Sequence, residues 1–356
     1  MYIQSICSFI FLFFILCNPT FAQLKLVSST VEKSDTAYGQ VIFENSLKYW
    51  IDSKLENDSI VLNVSNFFKN ENSRKINLPF LPITFSSSVK GKNEASFPVF
   101  GWNANGGWEV IFFDFKNSKT TKQLSLPDFS FISDVAFNNK NYYIAGTDKN
   151  DMPLLQVIND NMVLLKILNF KFQMKGEVSS IILIKNKIFA ITNYNNATSD
   201  LRSVESDNSL ILIKSFAGGA TTGLGYKDGG FVITYISDNK VFVEKFDAQI
   251  RSLWRTPLYS LLGPSTIKNK LLHIPLGLGF VGGLNSHLNV IRLNESGQII
   301  NVSIDNEHEF LIPPIGMYSA AVEGNLIHIR GQARRAKNPE SIGKITTFHF
   351  VENSKQ

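Results

Sequence analysis

Residues 230–250 read GFVITYISDNKVFVEKFDAQI, and residues 279–299 read GFVGGLNSHLNVIRLNESGQI. Laid over one another without a gap, they match at Gly230-Phe231-Val232 and Gly279-Phe280-Val281, at Val241 and Val290, and at Gln249-Ile250 and Gln298-Ile299. Self-similarity at a fixed offset, here 49 residues, marks a tandem structural unit. Each copy is built of short β-rich runs broken by Asn, Asp, Gly and Ser, the residues of tight turns.

The later half of the unit, a strand, a polar turn and another strand, recurs along the chain. It reads VLNVSNFFKNENSRKINL from 61, EVIFFDFKNSKTTKQLSL from 109, LLQVINDNMVLLKIL from 154 and LRSVESDNSLILIKS from 201. Its turn residues Asp160, Asp207, Asp247 and Glu295 follow one another at 47, 40 and 48 residues. A second strand pair precedes each hairpin, as in FISDVAFNNKNYYIAGT from 131, SSIILIKNKIFAITN from 179, TTGLGYKDGGFVITY from 221 and SAAVEGNLIHIRG from 319. Helical stripes with caps are almost absent. Four strands every 40 to 50 residues predict an all-β fold, a single β-propeller of seven four-stranded blades. The last blade is one strand short at KITTFHFVENSKQ, and QLKLVSSTVEK from 23 is a strand without a partner. Pairing the two would close the ring and leave no long edge. Six or eight blades, or a stacked β-solenoid, are the alternatives.

Asp228-Gly229-Gly230-Phe231-Val232, then Val243-Glu244-Lys245-Phe246-Asp247 and Leu253-Trp254, resemble the repeat of bacterial exported β-propellers, D-G-G-[YF]-[IV], K-[LF]-D and a tryptophan. The likeness is full in this blade and partial from Gly279 to Ile299. It implies a fold and no activity, because the motif carries turns and packing.

Export is also expected from residues 1–22. Ile6 to Cys17 (ICSFIFLFFILC) is an apolar run followed by Asn18-Pro19 and by Thr20-Phe21-Ala22 before Gln23, which reads as a cleaved signal peptide. It is shorter than the ~20 apolar residues of a spanning helix, and it lacks a preceding Lys or Arg. The domains are therefore a signal peptide over 1–22 and a propeller over 23–356, with a secreted or periplasmic location. Both cysteines, Cys7 and Cys17, lie in the signal, so disulfides, thiolate metal sites and cysteine nucleophiles are not expected in the mature chain. With 44% apolar and 18% charged residues the chain is globular. A net charge of +5 does not point to nucleic acid, and no transmembrane segment is expected after cleavage.

In a four-stranded blade the second-to-third connections and the blade-to-blade connections share one face, and candidate binding residues were sought there. Arg330, Arg334, Arg335 and Lys337 surround a long segment, GQARRAKNPE, whose guanidinium groups suit carboxylate, sulfate or phosphate, or an acidic protein surface. Trp102 and Trp108 flank Asn103-Ala104-Asn105-Gly106-Gly107, offering flat apolar faces and amides for sugar stacking. Asp134 and Glu177 begin innermost strands of adjacent blades and are the candidate general acid and base of a glycosidase. Alternatively they make local turns and bond backbone amides. The five histidines do not form a spaced ligand set, and no metal site or cofactor is expected. G-x-S-x-G, H-E-x-x-H, P-loop and G-x-G-x-x-G signatures are missing. These features favour a non-catalytic binding module for a protein or glycan partner. The alternatives are an exported glycoside hydrolase or polysaccharide lyase, and a structural component of an envelope assembly.

Overall fold

The computed structural model describes residues 24–32, 38–44, 47–56, 59–66, 74–78, 80–85, 96–103, 105–114, 119–138, 140–159, 161–170, 174–185, 187–207, 209–226, 228–260, 270–274, 277–284, 287–310, 318–323, 326–335 and 344–352. Side chains are described within residues 100–303 and at Val322 and Ile327. Twenty-eight strands are found among these residues. After β1 (Leu24–Glu32), the first sheet is β2 (Tyr38–Glu44), β3 (Leu47–Glu56), β4 (Ser59–Asn66) and β5 (Arg74–Leu78). The second is β6 (Phe80–Phe85), β7 (Ser96–Asn103), β8 (Trp108–Asp114) and β9 (Lys119–Leu126), and the third is β10 (Phe129–Asn138), β11 (Asn141–Asp148), β12 (Pro153–Asn159) and β13 (Leu164–Asn169). The fourth comprises β14 (Gly176–Ile184), β15 (Lys187–Tyr194), β16 (Ser199–Val204) and β17 (Leu210–Phe216), and the fifth β18 (Ala220–Gly225), β19 (Phe231–Ser237), β20 (Lys240–Phe246) and β21 (Ser252–Ser260). Each is antiparallel, with its strands side by side in chain order.

The remaining strands are β22 (Lys270–Ile274), β23 (Gly277–Leu284), β24 (His287–Leu293), β25 (Ile299–Phe310), β26 (Tyr318–Glu323), β27 (Leu326–Arg335) and β28 (Lys344–Glu352). Here β22 to β25 form one four-stranded run, and β26, β27, β28 and β1 form another. β1 lies antiparallel to β28, pairing Leu24 with Glu352 and Glu32 with Ile345. The two runs join into an eight-stranded sheet where His308, Glu309 and Phe310 pair with Arg335, Arg334 and Ala333. The innermost strands β10, β14, β18, β22 and β26 approach one another in sequence order, and β2 lies against β26.

Packing between sheets explains the composition of the strands. Phe100, Trp108 and Val110 of the second sheet meet Ile132, Tyr142 and Leu154 of the third. Ala145, Leu155 and Val157 meet Val178, Ile188 and Ala190 in the same way, and Phe189 and Leu201 meet Phe231, Ile233 and Phe246. A middle sheet is thus covered on both faces. Its strands are continuously buried, as in Leu154–Ile158 and Phe231–Tyr235, where a one-sided sheet would show apolar and polar residues in alternation.

The hairpins share one design. In the turns anchored at Asn103, Asp148, Asn159, Asp247 and Asn294, the anchor N–H donates to the carbonyl four residues on, and the N–H three residues on donates back to the anchor carbonyl. The side-chain oxygen of the anchor also accepts the N–H four residues on, as Asp247 Oδ1 does from Arg251 at 2.9 Å. The fourth residue adopts a left-handed conformation, filled by Gly106, Asp151, Met162, Ile250 and Gly297. This register puts the three described turn residues in turns, at different positions within them, and corrects the repeat offset. Asp247 is an anchor, but Asp207 sits two residues after Glu205 and accepts the Ser209 N–H at 2.8 Å, while Glu295 follows the anchor Asn294; Asp160 lies outside the described residues. The offset of 49 is a slip. Phe231 pairs with Phe246 and Leu278 with Leu293, so the fifth and sixth units are related by 47 residues. A shift of two residues leaves every side chain on its own face, which is why the sequence match survives it.

Candidate functional site

Three successive innermost strands carry a β-bulge at the same place. The register slips at Ser133 in β10, at Ser179 in β14 and at Thr221 in β18. The Ser133 hydroxyl donates to the Val178 carbonyl of the next sheet, and the Ser179 hydroxyl donates to Ala220 O at 3.3 Å. Asp134 follows the first bulge. Its Oδ1 accepts the Val135 N–H at 2.9 Å, and its Oδ2 accepts the Ile181 N–H at 2.7 Å and the Ser180 hydroxyl at 3.3 Å. Both carboxylate oxygens therefore bond groups of the protein, two of them in the neighbouring sheet. Asp134 and Glu177 lie on equivalent strands of adjacent sheets but at different positions. Asp134 is five residues into β10 and matches Ser180, whereas Glu177 is one residue into β14 and lies before the bulge. Asp134 thus meets β14 at Ser180 and Ile181, three and four residues along the strand from Glu177.

The tryptophan turn is built as a hairpin. Asn103 Oδ1 accepts the N–H groups of Asn105 and Gly107, each at 3.0 Å. Trp102 and Trp108 are register partners on β7 and β8. Trp108 is only 2% exposed, its Nε1 donates to Ser130 O at 2.9 Å, and its ring meets Phe131 edge-on. It fills the space between the second and third sheets and offers no open face to a sugar. The side chain of Trp102 lies outside the described residues. The arginine segment is a strand rather than a loop as far as Arg335. Arg330 pairs with Ser319 and Thr347, and Arg334 pairs with Glu309. The side chains of Arg330, Arg334 and Arg335, and the whole of Lys337, lie outside the described residues. His273 joins sheets, with Nε2 2.8 Å from Gly225 O and the ring edge-on to Tyr226. Among the described residues no group of three or more His, Cys, Asp or Glu converges as a metal site.

A groove that the sequence reading missed lies at the end of the sheets where Asn138, Lys187, Glu205 and Ile250 sit at or beside the turns. It encloses about 520 Å³ and runs from the third sheet, across the end of the fourth, to Ile250 of the fifth. Its floor includes the buried Val157, Ile188 and Phe189, together with Tyr143 and Ser203. Burial raises the Tyr143 pKa and keeps its hydroxyl neutral. On the rim, the Lys166 ammonium donates to Asp207 O at 2.9 Å, and Glu205 accepts the Ser203 hydroxyl. Lys187 is exposed and makes no hydrogen bond or ion pair with the described residues. No local motif announces this site, since its residues run from Asn138 to Ile250 and meet only through sheet packing.

No protein-family model and no curated protein matches the chain. Among solved structures, the WD40 domain of Toxoplasma gondii coronin is similar over 95% of this chain and 89% of its own, with a TM-score of 0.59 and 10% sequence identity. The chain is a β-propeller. At that identity the likeness reports the fold alone. In the propeller frame, the second-to-third turns such as Asn103–Gly107 emerge at one end of the blades. The groove lies at the opposite end, beside the first-to-second and third-to-fourth turns. No helix among the described residues is long and apolar enough to cross a membrane.

Proposed function

We propose that the protein is an exported, non-catalytic β-propeller that binds a protein partner. The observation that carries this is the open groove over the fourth blade, with Val157, Ile188 and Phe189 in its floor and, among the described residues, Lys166, Lys187 and Glu205 on its rim. Engagement of Asp134 Oδ1 by its own strand and of Oδ2 by β14 supports a scaffold over a glycosidase. Enclosure of Trp108 favours a protein partner over a glycan. The apolar run Ile6–Cys17, and cysteines confined to residues 7 and 17, support export with cleavage before Gln23. We read the strands as seven blades, with the eight-stranded sheet being two of them bridged by β25 and β27. Pairing of β1 with β28, and the approach of β2 to β26, support a closed ring.

The test has two arms. Amino-terminal sequencing of protein recovered outside the cytoplasm is expected to begin at Gln23. Cross-linking in the native host, followed by titration with the purified partner, is expected to give a saturable one-to-one complex. Cytoplasmic retention with Met1 intact would overturn export. Turnover of a polysaccharide that Asp134→Asn abolishes without lowering the melting temperature would overturn the non-catalytic role.

A further inference from the structure

We infer that the groove across the third, fourth and fifth blades takes an extended segment of a protein partner, one that carries two or more apolar side chains and an acidic residue. The inference rests on the binding role proposed above and specifies its surface and ligand. Shape is the first argument. The lining passes from Tyr143 and Leu165 through Phe189 and Ser203 to Ile213 and Ile250, so the site crosses the end of one blade and touches both neighbours. Its volume of about 520 Å³ is within the range of sites that enclose a ligand, and its course along three blades suits an extended chain.

Apolar surface is the second argument. The strands flanking the groove expose Leu164 (45%), Leu165 (51%) and Ile167 (38%) on β13, with Ile211 and Leu212 (49% each) on β17. Scattered apolar residues are ordinary on a protein surface, but Leu165 lines the groove itself and offers apolar surface that a partner seated there would cover. Both strands are also the outermost of their sheets, so each carries an edge of unpaired backbone groups that an extended segment can meet.

Charge is the third. Among the described residues the lining holds two cations, Lys166 and Lys187, and one anion, Glu205, while the Asp207 carboxylate beside it interacts with Lys166. Glu205 is engaged by Ser203 and Lys166 by Asp207 O, whereas the Lys187 side chain has no such contact with the described residues. A carboxylate on the partner would meet Lys187, while a basic segment would meet its like charge. That sets the sign of the ligand.

The test displays random twelve-residue peptides to the purified, naturally processed protein, and measures selected peptides by fluorescence anisotropy. The expected result is a consensus of Leu, Ile or Phe with Asp or Glu. Affinity should fall at least tenfold in Lys187→Glu and in Leu165→Asp, both exposed positions that leave the core intact, and should be unchanged in Arg334→Ala/Arg335→Ala. A basic or purely polar consensus would overturn the inference, as would affinities indifferent to both groove substitutions. If the one-to-one native complex forms equally well with the Lys187→Glu/Leu165→Asp double variant, the groove assignment fails and the binding role stands. If no complex forms with any version, the binding role itself fails.

Discussion

At Glu244 a buried charge ties two blades together. The residue is 4% exposed; its Oε2 accepts the Tyr235 hydroxyl at 2.7 Å, and its Oε1 accepts the Lys214 ammonium at 3.0 Å. Glu244 belongs to β20 and Lys214 to β17, and the ammonium also lies 4.7 Å from the centre of the Phe246 ring. Burial by itself raises the Glu244 pKa, but hydrogen bonds from Tyr235, Ser252 and Lys214 outweigh it and leave the carboxyl below its ordinary 4.5. Breaking a fully buried pair costs roughly 3–5 kcal/mol. Lys214 keeps 35% of its side chain exposed, so Glu244→Ala is expected near the bottom of that range, about 3 kcal/mol by urea unfolding at pH 7. Because the folded pKa is depressed, this stabilisation is full above the ordinary carboxyl pKa and is lost as pH falls through the lowered value. The gap between wild type and Glu244→Gln should therefore close in acid. A gap that stays constant from neutral pH to pH ~3 would show that the charge contributes nothing.

The hairpin is the element in which backbone conformation and blade packing meet. Gly297 has φ +83°, and a Cβ there would lie 2.4 Å from the Trp254 ring, whose Nε1 donates to Glu295 O at 3.0 Å. Two blades earlier, Lys166 likewise reaches the next sheet's turn, donating to Asp207 O. Gly297→Ala combines left-handed strain with a clash against a large ring, and should cost at least about 2 kcal/mol. The converse applies at Ala197, which is exposed with φ 63°. Ala197→Gly relieves roughly 1–2 kcal/mol of strain and adds ~0.5–1 of chain entropy, for a net gain of about 0.5 kcal/mol. Chemical denaturation of both variants tests the turn geometry, and a neutral Gly297→Ala would contradict it. The rhythm of these hairpins was legible, because Asn and Asp side chains bond turn amides and so recur where turns must. The anchors were not all legible. At Tyr194 and Tyr226 the anchor supplies only its backbone, and the side chain two residues on, Asn196 or Asp228, accepts the N–H of Thr198 or Gly230; nothing about tyrosine announces the anchor. The bulged Ser133 and Ser179 stood in the quoted strands, but their role depends on the carbonyl of the neighbouring blade.

For the whole molecule, β1 is the outermost strand beside β28, so the first described strand completes the run that the last one belongs to and covers the outer edge of β28. A protein lacking residues 24–32 is expected to lose cooperative melting or to aggregate, because the outer edge of β28 becomes a template for other chains. Light scattering and a thermal melt would read this, and a truncated protein that melts like the parent would argue against ring closure. The amino-acid sequence by itself determined the β-rich runs, the turn rhythm and the propeller reading, because strand and turn preferences act over a few residues and repeat with each blade. Only the tertiary structure decided which polar groups remain available. It fastened Asp134 to the next blade, enclosed Trp108, drew Arg330 to Arg335 into a strand and assembled a groove from residues more than a hundred positions apart. Burial and hydrogen-bond saturation depend on what neighbouring blades bring to each side chain, and no local pattern of residues records that.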